Sequence, residues 1–153
     1  MLFRSSTLRG LEFDRIVHVV AGLAVTPTGM DRLAELRPLT EVDGVVSAQK
    51  ATSEGVRFLA DHPGFPLRAP ADLEDILEAI GVEGRPLEPL RLLALSEYLD
   101  SIDQSRAAVT RLAGSFPILR GLVDAIAAFK GEIADVRRKI DPSGDVEIGR
   151  AHV

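Results

Sequence analysis

Three histidines, one cluster of acids and one basic triplet are the residues of this chain that could do chemistry. Asp14 and His18 stand four apart, so on a helix they share a face and have the spacing of an oriented general base. No serine or cysteine stands at a partner spacing, so an ordinary surface pair is the expectation. His62 follows Asp61 in a proline-rich loop and reads as a solvated turn residue. His152 falls in an unpatterned tail, and three scattered histidines do not assemble a zinc site. Glu74, Asp75 and Glu78 could bind a divalent ion, but acids in a first helical turn also suit the positive end of the helix dipole. Arg137-Arg138-Lys139 is the one compact basic run and the candidate nucleic-acid contact, although cations in a last turn are favoured by the same dipole. The phosphate loop G-x-x-x-x-G-K-S/T is absent, and no Gly-Lys pair occurs anywhere. Nucleotide hydrolysis by the standard P-loop route is therefore excluded for this chain. No catalytic, cofactor-binding or metal residue is assigned, and an enzymatic reading would need a buried acid or histidine cluster between helices.

Composition narrows the classes further. The 153 residues suit one domain. The lack of cysteine removes disulfides and thiolate zinc sites. A net charge of −5 argues against strong autonomous binding to nucleic acid or to an anionic membrane, because phosphate neutralisation needs a basic surplus. Apolar stretches are broken by charges well short of about 20 residues, so no transmembrane helix is expected. The start, MLFRSSTLRG, lacks a sustained apolar stretch and a cleavage site, which leaves a cytoplasmic protein as the default.

The elements that must position these residues are helices. Leucine, alanine, valine and isoleucine supply the core, aromatics reach only 5%, and the apolar period is helical. Phe13, Ile16, Val17, Val20, Leu23 and Ala24 form the stripe of a first helix. Thr26 or Thr28 caps a second, whose Met30, Leu33, Ala34 and Leu36 match it before Pro38 stops it. Thr40 caps a third helix running to about Asp61, with Val42, Val45, Val46, Gln49, Thr52, Val56 and Leu59 as its buried side. The stretch His62 to Pro66 is a loop. Pro70 and Asp72 start a short helix with an apolar face of Leu73, Ile76, Leu77 and Ile80, ended by Gly81 and Gly84. Pro86 or Pro89 opens the longest helix, to about Gly114, with a seam of Leu87, Leu90, Ala94, Tyr98, Ile102, Ser105, Val109 and Leu112. Its extra leucines Leu92, Leu93, Leu95 and Leu99 call for cover on more than one side. A further helix runs from Phe116-Pro117 to about Lys139, bent or divided at Gly131, and Asp141 to Asp145 is a turn. The expected architecture is all-α: an irregular bundle of five to seven helices with one or two long ones. A single domain covers 7–147, with poorly patterned ends at 1–6 and 148–153.

The order of these features resembles the start of the MutS family of ATPases, in the branch lacking the mismatch-reading domain. Leu11-Glu12-Phe13-Asp14, Ile16, Ala24-x-Thr26-x-x-Gly29, Leu33, Leu36 and Pro38 carry the resemblance first. Thr52-x-Glu54 with Phe58-Leu59, Phe65-Pro66-Leu67, Asp72 and Ile76, Gly84-x-x-Leu87-x-Pro89-x-x-Leu92, Phe116-Pro117-x-Leu119 and Ile140-Asp141-x-x-Gly144-x-Val146 continue it. The resemblance implies the amino-terminal helical core of a longer protein, a non-catalytic module joining a DNA- or ribosome-engaging clamp to a dimeric ABC-type ATPase. It implies partners in the remaining domains of that protein, DNA or ribosomes through them, and a homodimer. ATP and magnesium would belong to the ATPase domain, and some members add a small nuclease domain. The roles associated with this branch are restraint of recombination and rescue of collided ribosomes. Glu147 to Val153 departs from the family's continuation, as a fragment end or a vector- or frameshift-derived tail would. The competing reading is a stand-alone helical adaptor that holds a partner helix in an apolar groove, motivated by Leu92, Leu95 and Leu99.

Overall fold

The computed structural model describes residues 10–62, 64–112 and 114–146. They form α1 (Phe13–Ala21), α2 (Pro27–Ala34), α3 (Val42–Asp61), α4 (Leu73–Ile80), α5 (Pro89–Thr110), α6 (Pro117–Asp124) and α7 (Lys130–Lys139). The all-α expectation holds at its upper count of seven helices. The single β feature among the described residues is an isolated antiparallel bridge between Ile140 and Val146. It closes the Asp141–Asp145 turn, where Asp141 Oδ1 accepts from Ser143 N, Ser143 Oγ and Asp145 N at 2.9, 2.7 and 2.8 Å. These bonds, led by the Ser143 hydroxyl, hold the Asp141 carboxyl below its ordinary pKa. His152 and the ends at 1–6 and 148–153 lie outside the described residues.

Thr26, not Thr28, caps α2: its Oγ1 accepts the Gly29 N–H at 3.1 Å, and Pro27 occupies the first helical position. α1 is shorter than its apolar pattern, because the chain turns at Gly22 and leaves Leu23 beyond the helix end and 76% exposed. Its covered side is Phe13, Val17, Val20 and Ala21, while Ile16 remains open. α2 stops at Ala34, before Pro38 can act, and Met30 and Leu36 are exposed.

Three further expectations need correction. α3 begins at Val42 after Glu41, without a side-chain cap, so Thr40 does not cap it. Its buried residues are Glu54 and Phe58, whereas Val42, Val46, Val56 and Leu59 are exposed. The valine stripe was chosen by polarity, and the face that meets α6 is chosen by an aromatic and a carboxylate. On α4, Leu73 and Ile76 are fully buried as expected, but Ala79 completes that face while Leu77 and Ile80 point outward.

α5 spans 22 residues, about 33 Å rather than the expected roughly 40 Å. Its buried positions are Ser96, Ser101, Ser105 and Val109, so three of four are small and polar. Each hydroxyl satisfies itself on a backbone carbonyl: Ser96 on Leu93, Ser101 on Tyr98 and Ser105 on Ser101, at 2.7–2.8 Å. Ser101 Oγ also accepts from Arg68 N at 3.1 Å, with Arg68 O at 3.0 Å, which pins the 64–70 segment to the helix.

The expected helix from Phe116 to Lys139 is two helices, broken at 125–129, upstream of Gly131. Ile126 N turns back to Val123 O at 3.2 Å, and the Ile126 carbonyl receives Arg106 Nη1 from α5 at 3.5 Å. The break lets α7 pack along α5 while α6 meets both α5 and α3. The core cluster lies at that junction: Phe58, Val109, Phe116 and Val123, lined by Phe65, Ala108, Leu112, Leu119 and Ile126. Phe58 is edge-on to Phe116 at 5.3 Å and to Phe65 at 5.8 Å.

Candidate interaction surface

The sequence-selected residues do not converge. Asp14 and His18 are both exposed on α1. His62 stacks on Phe58 with ring centroids 4.9 Å apart, and its Nδ1 lies 3.1 Å from Phe58 O, so it packs at the core's edge rather than sitting solvated in a turn. Glu74, Asp75 and Glu78 line the outer side of α4. Asp31 of α2 comes against Glu74, and its carboxyl, by hydrogen bonding and by charge, raises the Glu74 pKa above the ordinary value. Among the described residues no group of three or more acids, histidines or cysteines could hold a metal ion.

The basic run sits in the last turn of α7. Arg137 reaches across to Asp100 of α5 at 2.8 Å, and Arg138 pairs with Asp135 at 2.5 Å. Lys139 is exposed at the helix end. Consecutive helix positions point about 100° apart, so the three cations spread round α7 instead of forming one flat patch. Arg137 has a structural task as the tie between α7 and α5.

Apolar surface is the dominant feature instead. α1 leaves Ile16, Val19 and the following Leu23 open; α3 leaves Val42, Val46, Val56 and Leu59 open. Val42 is 75% exposed. The pattern is physical: α3 packs through Glu54 and Phe58 on α6 and on Val109 of α5, while from Val42 to Ser53 only Gly44, Val45 and Ala51 are half-buried. Along this free half runs a shallow hollow of about 600 Å³, lined by Leu39, Val45, Ala48, Gln49, Thr52 and Ser53. A smaller, wholly apolar cleft of about 260 Å³ lies between α3, α5 and α6, with Leu59 and Leu122 at its rim. Open apolar helix faces of this kind mark surfaces that other protein covers. Leu92, Leu95 and Leu99, the leucines behind the adaptor reading, are half-buried on α5 and do not line either hollow. Among the described residues no helix is long and apolar enough to cross a membrane.

The feature that sequence reasoning missed is Glu54. It is only 3% exposed, and its Oε1 accepts the Leu119 N–H at the start of α6 at 2.7 Å. Its place one turn before Phe58 was the available signal, since two residues four apart share one helix face.

Among curated proteins, the chain is similar to the MutS2 endonuclease of Thermomicrobium roseum, 28% identical over 145 residues, covering 93% of this chain and 18% of that protein. It is 27% identical over 126 residues to the MutS2 endonuclease of Alkaliphilus oremlandii, covering 81% of this chain and 16% of that protein. The MutS2 endonuclease of Acetivibrio thermocellus is 32% identical over 96 residues, covering 63% and 12%. The chain thus spans less than a fifth of the length of these relatives. No family model and no solved structure matches it.

Proposed function

We propose that this chain, similar over nine-tenths of its length to MutS2 endonucleases, is a MutS-family helical core, non-catalytic itself, that couples a nucleic-acid or ribosome clamp to a dimeric ATPase. The observation that carries this reading is the pairing of two facts. Similarity covers nine-tenths of the chain but under a fifth of its relatives, and among the described residues one face of α1 and most of α3 stay exposed. A segment whose neighbours lie elsewhere in a longer protein would carry such faces. Rigid transmission suits the α5–α6–α7 body, in which a 22-residue rod is tied to its neighbours by Arg137–Asp100 and the Arg106–Ile126 contact. ATP and magnesium belong, on this reading, to other domains, and DNA or ribosome contact, control of recombination and homodimer formation to the whole protein. A cytoplasmic location accompanies it.

The test is the genomic locus. A reading frame that encodes this chain together with a P-loop ATPase supports the coupling role. A locus lacking any such domain contradicts it and favours the adaptor, for which the hollow along the free half of α3 is the specific site. Alone, the chain should bind duplex DNA weakly and lose that binding as salt rises, as its net charge of −5 dictates.

A further inference from the structure

The first turn of α6 is held by three side chains from one side of α3. α6 has Pro117 at its first position, which donates no N–H, and its N-cap residue Phe116 offers no side-chain acceptor. Glu54 supplies the acceptor from outside, taking the Leu119 N–H at 2.7 Å. One turn on, the Arg57 guanidinium lies 5.9 Å from the Phe116 ring centroid, and Phe58 meets the same ring edge-on at 5.3 Å. A carboxylate buried to this degree is costly unless the charge is compensated, and the positive end of α6 compensates it. The rest of α3, from Val42 to Ser53, is exposed apart from the half-buried Gly44, Val45 and Ala51.

We propose that Glu54 is a latch that fixes the angle at which α3 leaves the bundle. With the latch closed, α3 moves as one body with α6; with it broken, α3 becomes an arm that swings about Phe58 while the α5–α7 body stays folded. Local openings of this kind follow the number of buried contacts a segment makes, and α3 makes them along only one short stretch. This inference concerns the chain alone and stands or falls separately from the coupling role.

The absence of cysteine allows a direct test. Spin labels on cysteines introduced at the exposed positions Ser47 and Gln104 read the α3–α5 distance. The unaltered latch should give one narrow distribution. Glu54→Met, similar in volume but without an acceptor, should broaden it severalfold, and Glu54→Gln, which keeps a carbonyl oxygen, should largely restore it. Leu119 amide exchange should accelerate at least tenfold in Glu54→Met, while Ile133 in α7 keeps its rate. Should Glu54→Met fail to fold, Glu54→Asp, one methylene short of the amide, must still speed Leu119 exchange over Ile133. A distribution already broad with Glu54 in place, or one unchanged in Glu54→Met with Leu119 still protected, overturns the proposal.

Discussion

Thr26 and Gly29 act as a pair. The Thr26 hydroxyl sits so close to the Gly29 backbone that a Cβ there would meet Oγ1 at 2.8 Å and the Ala24 Cβ at 3.7 Å. The spacing Ala24-x-Thr26-x-x-Gly29 is thus the imprint of one tight cap. Thr26→Ala should cost about 1 kcal/mol in urea unfolding, and an unchanged midpoint would show that α2 needs no cap. Glu74 carries a second prediction. Its folded-state pKa is raised, first by the hydrogen bond with Asp31 and then by the charge of that group. A raised pKa means that the contribution is fully present below the unfolded value and is lost as pH rises through the folded one. Glu74→Gln should therefore raise Tm near pH 7 and leave it unchanged well below pH 4.5. Thr26 was legible in the sequence because caps are local. Glu54 was not, because its partner lies 65 residues away in the sequence and polarity argues against burying it.

At the scale of elements, α5 shows where periodicity misleads. Its leucines suggested an apolar seam, yet the fully covered side is a line of serines with satisfied hydroxyls. Small residues let neighbouring backbone approach closely, and Ser101 uses that approach to bind both polar groups of Arg68. Ser101→Ala leaves those backbone groups without their side-chain partner and should cost about 1–3 kcal/mol, read as a lower urea midpoint. No loss of stability would mean that water replaces the hydroxyl. The existence and order of the helices were legible from caps, prolines and apolar spacing. The break at 125–129 was not, because Ala125 to Phe129 contains no glycine or proline. It is set where Ile126 turns back on Val123 and receives Arg106 from α5, so that α7 follows α5 while α6 meets α5 and α3.

At the scale of the whole molecule, the buried hydrophobics among the described residues are fewer than the exposed large ones, ten against nineteen. The faces on α1 and α3 thus give the chain a surface to present to other protein. The similarity to MutS2 proteins was legible because loose motifs kept their order over nearly the entire chain, and the all-helical architecture because the apolar period is helical. What covers the exposed faces was not legible, since a sequence records the apolar character of a face and not its neighbour. The coupling role is tested most directly by ATP turnover in the full protein that the locus encodes, measured with and without nucleic acid. The comparison is between the unaltered protein and Glu54→Met. Because a released α3 no longer moves with the α5–α6–α7 body, the coupling account predicts equal basal turnover in both and loss of most of the nucleic-acid stimulation in Glu54→Met. Full stimulation in a variant whose α3 is shown by spin labels to be released would contradict it.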